Sequence, residues 1–222
     1  MKSLILSTAA AAAIFGAAHA ADVKYAPVKS HPSQGEVAAI EGATARMSMH
    51  DDGLFVAVDT VGLNPGHVHT LWLVVINDPA ACYDPTAVIE GQKTDPNECT
   101  IRDVLLRTDE VKADVGYAGG VIVGDDGTAR FAWHQPEGDL TNAWFGRGME
   151  QSHAAEIHVV VNDHGPLLEG RESEMLGSYR DGCKDDSIPG PMPATARADG
   201  EAGPNVCRLM QTAVFTLENT ES

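Results

Sequence analysis

The sequence is poor in basic residues and in aromatics. Lys and Arg total 15 against 32 Asp and Glu, the formal net charge is −17, and Phe, Trp and Tyr make up 5% of the chain. So acidic a surface repels phosphate backbones and anionic headgroups, which excludes nucleic acid and the membrane surface as partners. Catalytic signatures are missing as well: there is no G-x-S-x-G, no H-E-x-x-H and no P-loop. Gly146-Arg147-Gly148 is no dinucleotide fingerprint, and the neighbours Ser152-His153 are no triad. Gly124-Asp125-Asp126-Gly127 lacks the remaining acidic positions of a calcium loop. Long apolar runs are absent after residue 20, so the body of the chain carries no helical membrane span. Non-catalytic chemistry is what these absences leave.

What is there begins with MKSLILSTAAAAAIFGAAHA. Lys2 supplies a positive start, Leu4 to Ala18 an apolar stretch, and Ala18-His19-Ala20 a small-residue cleavage site. This pattern predicts a secretory leader removed after Ala20 and a periplasmic or secreted destination. In such an oxidising compartment the four cysteines, Cys82, Cys99, Cys183 and Cys207, read as two disulfides, for which three pairings exist. Cys82–Cys99 and Cys183–Cys207 are favoured because each closes a polar, Pro/Asp-rich loop. Each closure contributes roughly 3 kcal/mol in the chain-entropy model. A thiolate metal site is the alternative, and the absence of C-x-x-C speaks against it.

Residues 21–36 are polar and Pro-containing and read as an N-terminal arm, followed by a single domain over residues 37–218. Short β-like runs separated by turn signals fill that domain. Asp51-Asp52-Gly53 predicts one hairpin, and Gly124-Asp125-Asp126-Gly127 a second, with Ala129, Phe131 and Trp133 on one face. HTLWLVVIN is almost wholly apolar and suits a strand buried on both faces; AEIHVVVND and LMQTAVFTLEN are further strands. Two long insertions, residues 78–100 and 163–207, interrupt the pattern, and the prolines of IPGPMP exclude regular structure there. The fold class expected is all-β: an antiparallel sandwich of Greek-key or immunoglobulin-like type with two disulfide-stapled loops.

Candidate ligands come from the histidines. In PGHVHTLWLVV, His67 and His69 share a strand face and can point at one copper or zinc ion. His158, on another strand, is the third candidate ligand, with Glu156 on its face to orient it and His164 in the turn Asp163-His164-Gly165-Pro166. The bland alternative puts His67 on a backbone carbonyl after the Pro65-Gly66 turn, and His69 partly buried beside Trp72. Met47 and Met49 also share a face; a thioether pair suits Cu(I), and equally suits a core. Trp144-Phe145 is a candidate exposed aromatic pair for a sugar, with packing as its alternative.

GLNPGHVHTLWLVVINDPAAC, GYAGGVIVGDDGTARF and AEIHVVVNDHGP together resemble a family of uncharacterised secreted bacterial proteins, over roughly residues 42–216. That resemblance implies a fold and no activity. A looser likeness is to the CHRD domain and to copper,zinc superoxide dismutase, β-sandwiches with an H-x-H on a strand. His67 and His69 match that pair and His158 the later strand histidine, whereas the dismutase's bridging histidine, zinc ligands and active-site arginine motif have no counterpart. The function expected is an extracytoplasmic, non-catalytic domain that binds a protein or glycan partner or serves structure; the alternative is a copper- or zinc-binding protein.

Overall fold

The computed structural model describes residues 22–82, 98–188 and 192–217. The expected leader and most of the Cys82–Cys99 loop lie outside them. Eight strands form one continuous sheet: β1 (Asp22–Ser30), β2 (Ala39–His50), β3 (Gly53–Thr60), β4 (His67–Ile76), β5 (Ala113–Ile122), β6 (Ala129–Pro136), β7 (Glu156–Pro166) and β8 (Arg208–Phe215). Their order is β5-β4-β7-β8-β1-β2-β3-β6, and every pairing is antiparallel. The terminal strands β5 and β6 meet without a shared ladder. Tyr117 and Trp133 close the seam edge to face, ring centroids 5.8 Å apart. The all-β antiparallel expectation therefore holds, in the form of a nearly closed sheet. No helix among the described residues is long and apolar enough to cross a membrane.

Strand alternation explains the core. Ala45, Met47 and Met49 of β2, Leu54, Val56 and Val58 of β3, and Leu71, Leu73 and Val75 of β4 turn inward into one apolar cluster. Met47 and Met49 are thus core residues, 1% and 3% exposed, not thioether ligands. The opposite face of β4 presents Trp72, Val74 and Ile76 to a second cluster. Buried on both faces, β4 has no polar side to show, hence its unbroken apolar run.

The stapled insertions cover that outer face. Both predicted disulfides are present, Cys82–Cys99 and Cys183–Cys207, with Cα separations of 5.2 and 5.4 Å. After the first come α1 (Ile101–Leu106) and α2 (Thr108–Val111); α1 opens on a capping box between Thr100 and Asp103. The second insertion carries α3 (Glu172–Gly177) and α4 (Ala194–Ala198). In the proline-rich piece beginning IPGPMP the expectation of no regular structure fails by the single turn of α4, because Pro193 sits just outside that helix, where a missing N–H costs nothing. Gly120 lets α3 approach β5: a Cβ there would lie 2.3 Å from the Leu176 carbonyl oxygen.

Three other readings change. The supposed arm contains β1, which pairs with both β2 and β8; its alternate residues Lys24, Ala26 and Val28 are buried. Asp163 and His164 belong to β7, not to a turn. The second predicted hairpin is a turn without a ladder: β5 pairs with β4 and β6 with β3. Backbone groups around that turn bond instead to the β3–β4 connection, Leu63 N–H to Gly127 O at 3.0 Å and Gly66 N–H to Val123 O at 2.8 Å.

Candidate functional site

His67 and His69 open β4 opposite the far end of β7, where His69 pairs with Asp163. The Asp163 carboxylate is the hub. His67 Nδ1 lies 2.9 Å from its Oδ1, Asn64 Nδ2 donates to Oδ2 at 2.9 Å, and the Gly165 N–H donates to Oδ1 at 2.7 Å. His67 is partly exposed at the rim and His69 is fully buried, their rings nearly parallel with centroids 6.3 Å apart. His67 therefore meets a carboxylate rather than the backbone carbonyl expected of it.

His158 is elsewhere. It pairs with Val74, five residues along β4 from His69, a separation of about 16 Å at ~3.3 Å per residue. Zinc or copper bonds near 2 Å cannot span that. The expected three-histidine site, His67, His69 and His158, is not assembled. What His158 does have is Glu156, whose Oε1 accepts from His158 Nε2 at 2.6 Å and from the Cys99 N–H at 2.8 Å. Glu156 thus fixes the His158 ring and also holds the first disulfide against the sheet.

His164 is a structural histidine. Nδ1 donates to the Asp181 carbonyl at 2.9 Å, and Nε2 accepts from Thr70 Oγ1 at 2.9 Å and Asn162 Nδ2 at 3.2 Å. Trp72 Nε1 donates to the same Thr70 oxygen at 2.9 Å, which leaves the hydroxyl proton for His164. Burial holds the His164 pKa below its ordinary value. Among the described residues, His164, Cys183 and Cys207 are the one trio with ligand atoms within 4.8 Å of each other, and both cysteines are spent on the disulfide.

Trp144, read as a possible sugar platform, is 6% exposed, with ring centroids 4.8 Å from Tyr179 and 5.7 Å from Trp72. It is packing.

A concave feature among the described residues is on the outer face near His158. A cavity of about 250 Å³ lies between the sheet residues Val74, Val160 and Val214 and the helix residues Ile101 and Val104. Lys29 and Glu98, 3.7 Å apart, are at its edge. Its other polar side chains are Thr100, Thr212, His31 and His158; the two threonine hydroxyls already donate to Asp103 and to the Val159 carbonyl. The Ser33 N–H donates to His31 Nδ1 at 3.1 Å, so the ring proton of neutral His31 is on Nε2. With Nε2 committed to Glu156, His158 keeps Nδ1 as its remaining nitrogen. One histidine thus offers a donor and the other an acceptor. Sequence reasoning missed His31, because strand β1 was read as an arm.

Burial, with a smaller push from His158, lowers the His31 pKa from 6.5 to about 4. Between those values the unfolded chain binds the proton more readily, so His31 subtracts stability as pH falls from about 6.5 toward 4 and nothing above. Thermal melts of His31→Gln from pH 7.5 to 4.5 should therefore show a shallower loss than wild type. An unchanged slope would mean that His31 is not desolvated in the fold.

No family model, curated protein or solved structure matches this chain.

Proposed function

We propose that the chain is an extracytoplasmic, non-catalytic binding domain whose cavity captures a small molecule with an apolar body and a neutral hydrogen-bonding head. The cavity carries the reading: valine and isoleucine walls, with a histidine donor and a histidine acceptor among them. An apolar cavity of about 150 Å³ takes benzene, so about 250 Å³ takes roughly ten non-hydrogen atoms. A hydroxyl or primary amide satisfies both histidines at once. A carboxylate head would compete with Glu98 for Lys29 and meet the buried Glu156. The two disulfides support an oxidising destination, as does the leader-like start.

Calorimetric titration with phenol, cyclohexanol and benzamide, against benzoate and toluene as controls, tests this. Neutral donor–acceptor heads should bind best, and a ligand at 100 times its Kd should add about 2.7 kcal/mol of stability. Val160→Trp fills the cavity and should abolish binding. Equal binding to Val160→Trp, or no binding of any probe, would sink the reading; so would turnover of a bound probe.

A further inference from the structure

His69 is the one histidine whose ring, among the described residues, is buried with neither nitrogen hydrogen-bonded. Leaving such groups unmet costs about 1–3 kcal/mol each, so an arrangement of this kind calls for a partner. Asp163 Oδ2 stands 3.8 Å from His69 Nε2, too far for a direct hydrogen bond. The carboxylate is itself buried and already held by Asn64, Gly165 and His67.

The 3.8 Å gap discriminates between occupants. A water about 2.8 Å from each atom would be pinched to an angle of about 85°, well short of tetrahedral. A metal ion about 2.1 Å from each would subtend about 130°, within reach of tetrahedral or trigonal coordination. His67 is the natural third ligand. Its Nδ1 is 3.1 Å from the same Oδ2, and its ring is at the partly exposed rim. Rotation is required, since the three donor atoms do not yet lie within 4.8 Å of one another.

We propose that His69 and Asp163, joined by His67 turning in from the rim, bind one borderline divalent ion, zinc or copper(II). Two imidazoles and a carboxylate suit these ions and leave a position open to solvent. The site uses different residues from the cavity near His158, and either can fail without the other.

The test uses the whole secreted chain, stripped with chelator and titrated separately with Zn²⁺ and Cu²⁺. One equivalent should bind, with affinity reduced at least 100-fold in His69→Gln and Asp163→Asn and about 10-fold in His67→Gln. His134→Gln and His153→Gln, at exposed histidines, should bind as wild type does. The Cu²⁺ electron paramagnetic resonance spectrum of the wild type, which needs no variant to fold, should show coupling to imidazole nitrogen. Absence of binding to either ion overturns the proposal, as does binding that survives in His69→Gln and Asp163→Asn. A Cu²⁺ spectrum without nitrogen coupling, or an ordered water alone between His69 and Asp163, overturns it too.

Discussion

The double variant Cys183→Ser/Cys207→Ser should lose about 3–4 kcal/mol of stability and melt roughly 10 °C below wild type. The bridge closes a separation of 24 residues, long enough for the chain-entropy contribution to be large. It also fixes a segment with little regular structure to hold it. Around Cys183 the backbone is tied by Lys184 N–H to Asn205 O at 2.7 Å and by Asn205 N–H to Gly182 O at 3.0 Å. The Asn205 side chain reaches on to the His164 and Pro166 carbonyls, both at 2.8 Å. Arg171 pairs with buried Asp181 at 2.6 Å on the same stretch. These bonds persist only while the segment lies against the sheet, which the disulfide ensures. Urea unfolding under non-reducing conditions measures the loss. Reduced wild type, which also loses Cys82–Cys99, should be less stable than the variant, and a loss under 1 kcal/mol in the variant would show that packing alone seats the segment.

Periodicity and turn chemistry made most of the sheet legible. The β2–β3 hairpin forms at Asp51-Asp52-Gly53 as read, and β4 is the doubly buried strand its composition indicates. The loop-closing logic also selected the right cysteine pairs. The second turn was legible as a turn, but its strands were not legible as opposite edges of the sheet. Nothing local in Gly124–Gly127 distinguishes a ladder from a seam; closure of the whole sheet decides it. Site residues were harder for the same reason. The spacing of His67 and His69 puts them on one strand, yet only the β4–β7 register sets Asp163 opposite His69 and carries His158 far along the strand. Asp163 went unread because D-H-G-P looks like a turn. Asp114 went unread because nothing local to it shows that residues 145–148 return to its carboxylate.

That overlooked acid supports the second large effect. Asp114 is fully buried on β5, and four backbone N–H groups converge on its carboxylate. Val115 and Phe145 donate to Oδ1 at 2.7 and 3.0 Å; Arg147 and Gly148 donate to Oδ2, both at 2.8 Å. The segment 145–148 is wound around one charge. Its shape also needs Gly148, which has φ of 71° and a Cβ position 2.1 Å from the Gly138 carbonyl oxygen. Trp144, at the head of the segment, bonds by its backbone N–H to Val115 O at 2.9 Å, and its ring lies against Tyr179 and Trp72. Asp114→Ala removes the acceptor of every one of those donors. Each unmet buried donor costs about 1–3 kcal/mol before the loop relaxes, so a net loss above about 3 kcal/mol is expected. Asp114→Asn keeps one carbonyl acceptor, turns the other position into a donor, and should lose roughly half as much. Trp144 should become solvated as the segment loosens, shifting tryptophan emission to the red before global unfolding. If Asp114→Ala keeps wild-type stability and emission, the segment is held by the aromatic packing of Trp144 and not by the carboxylate.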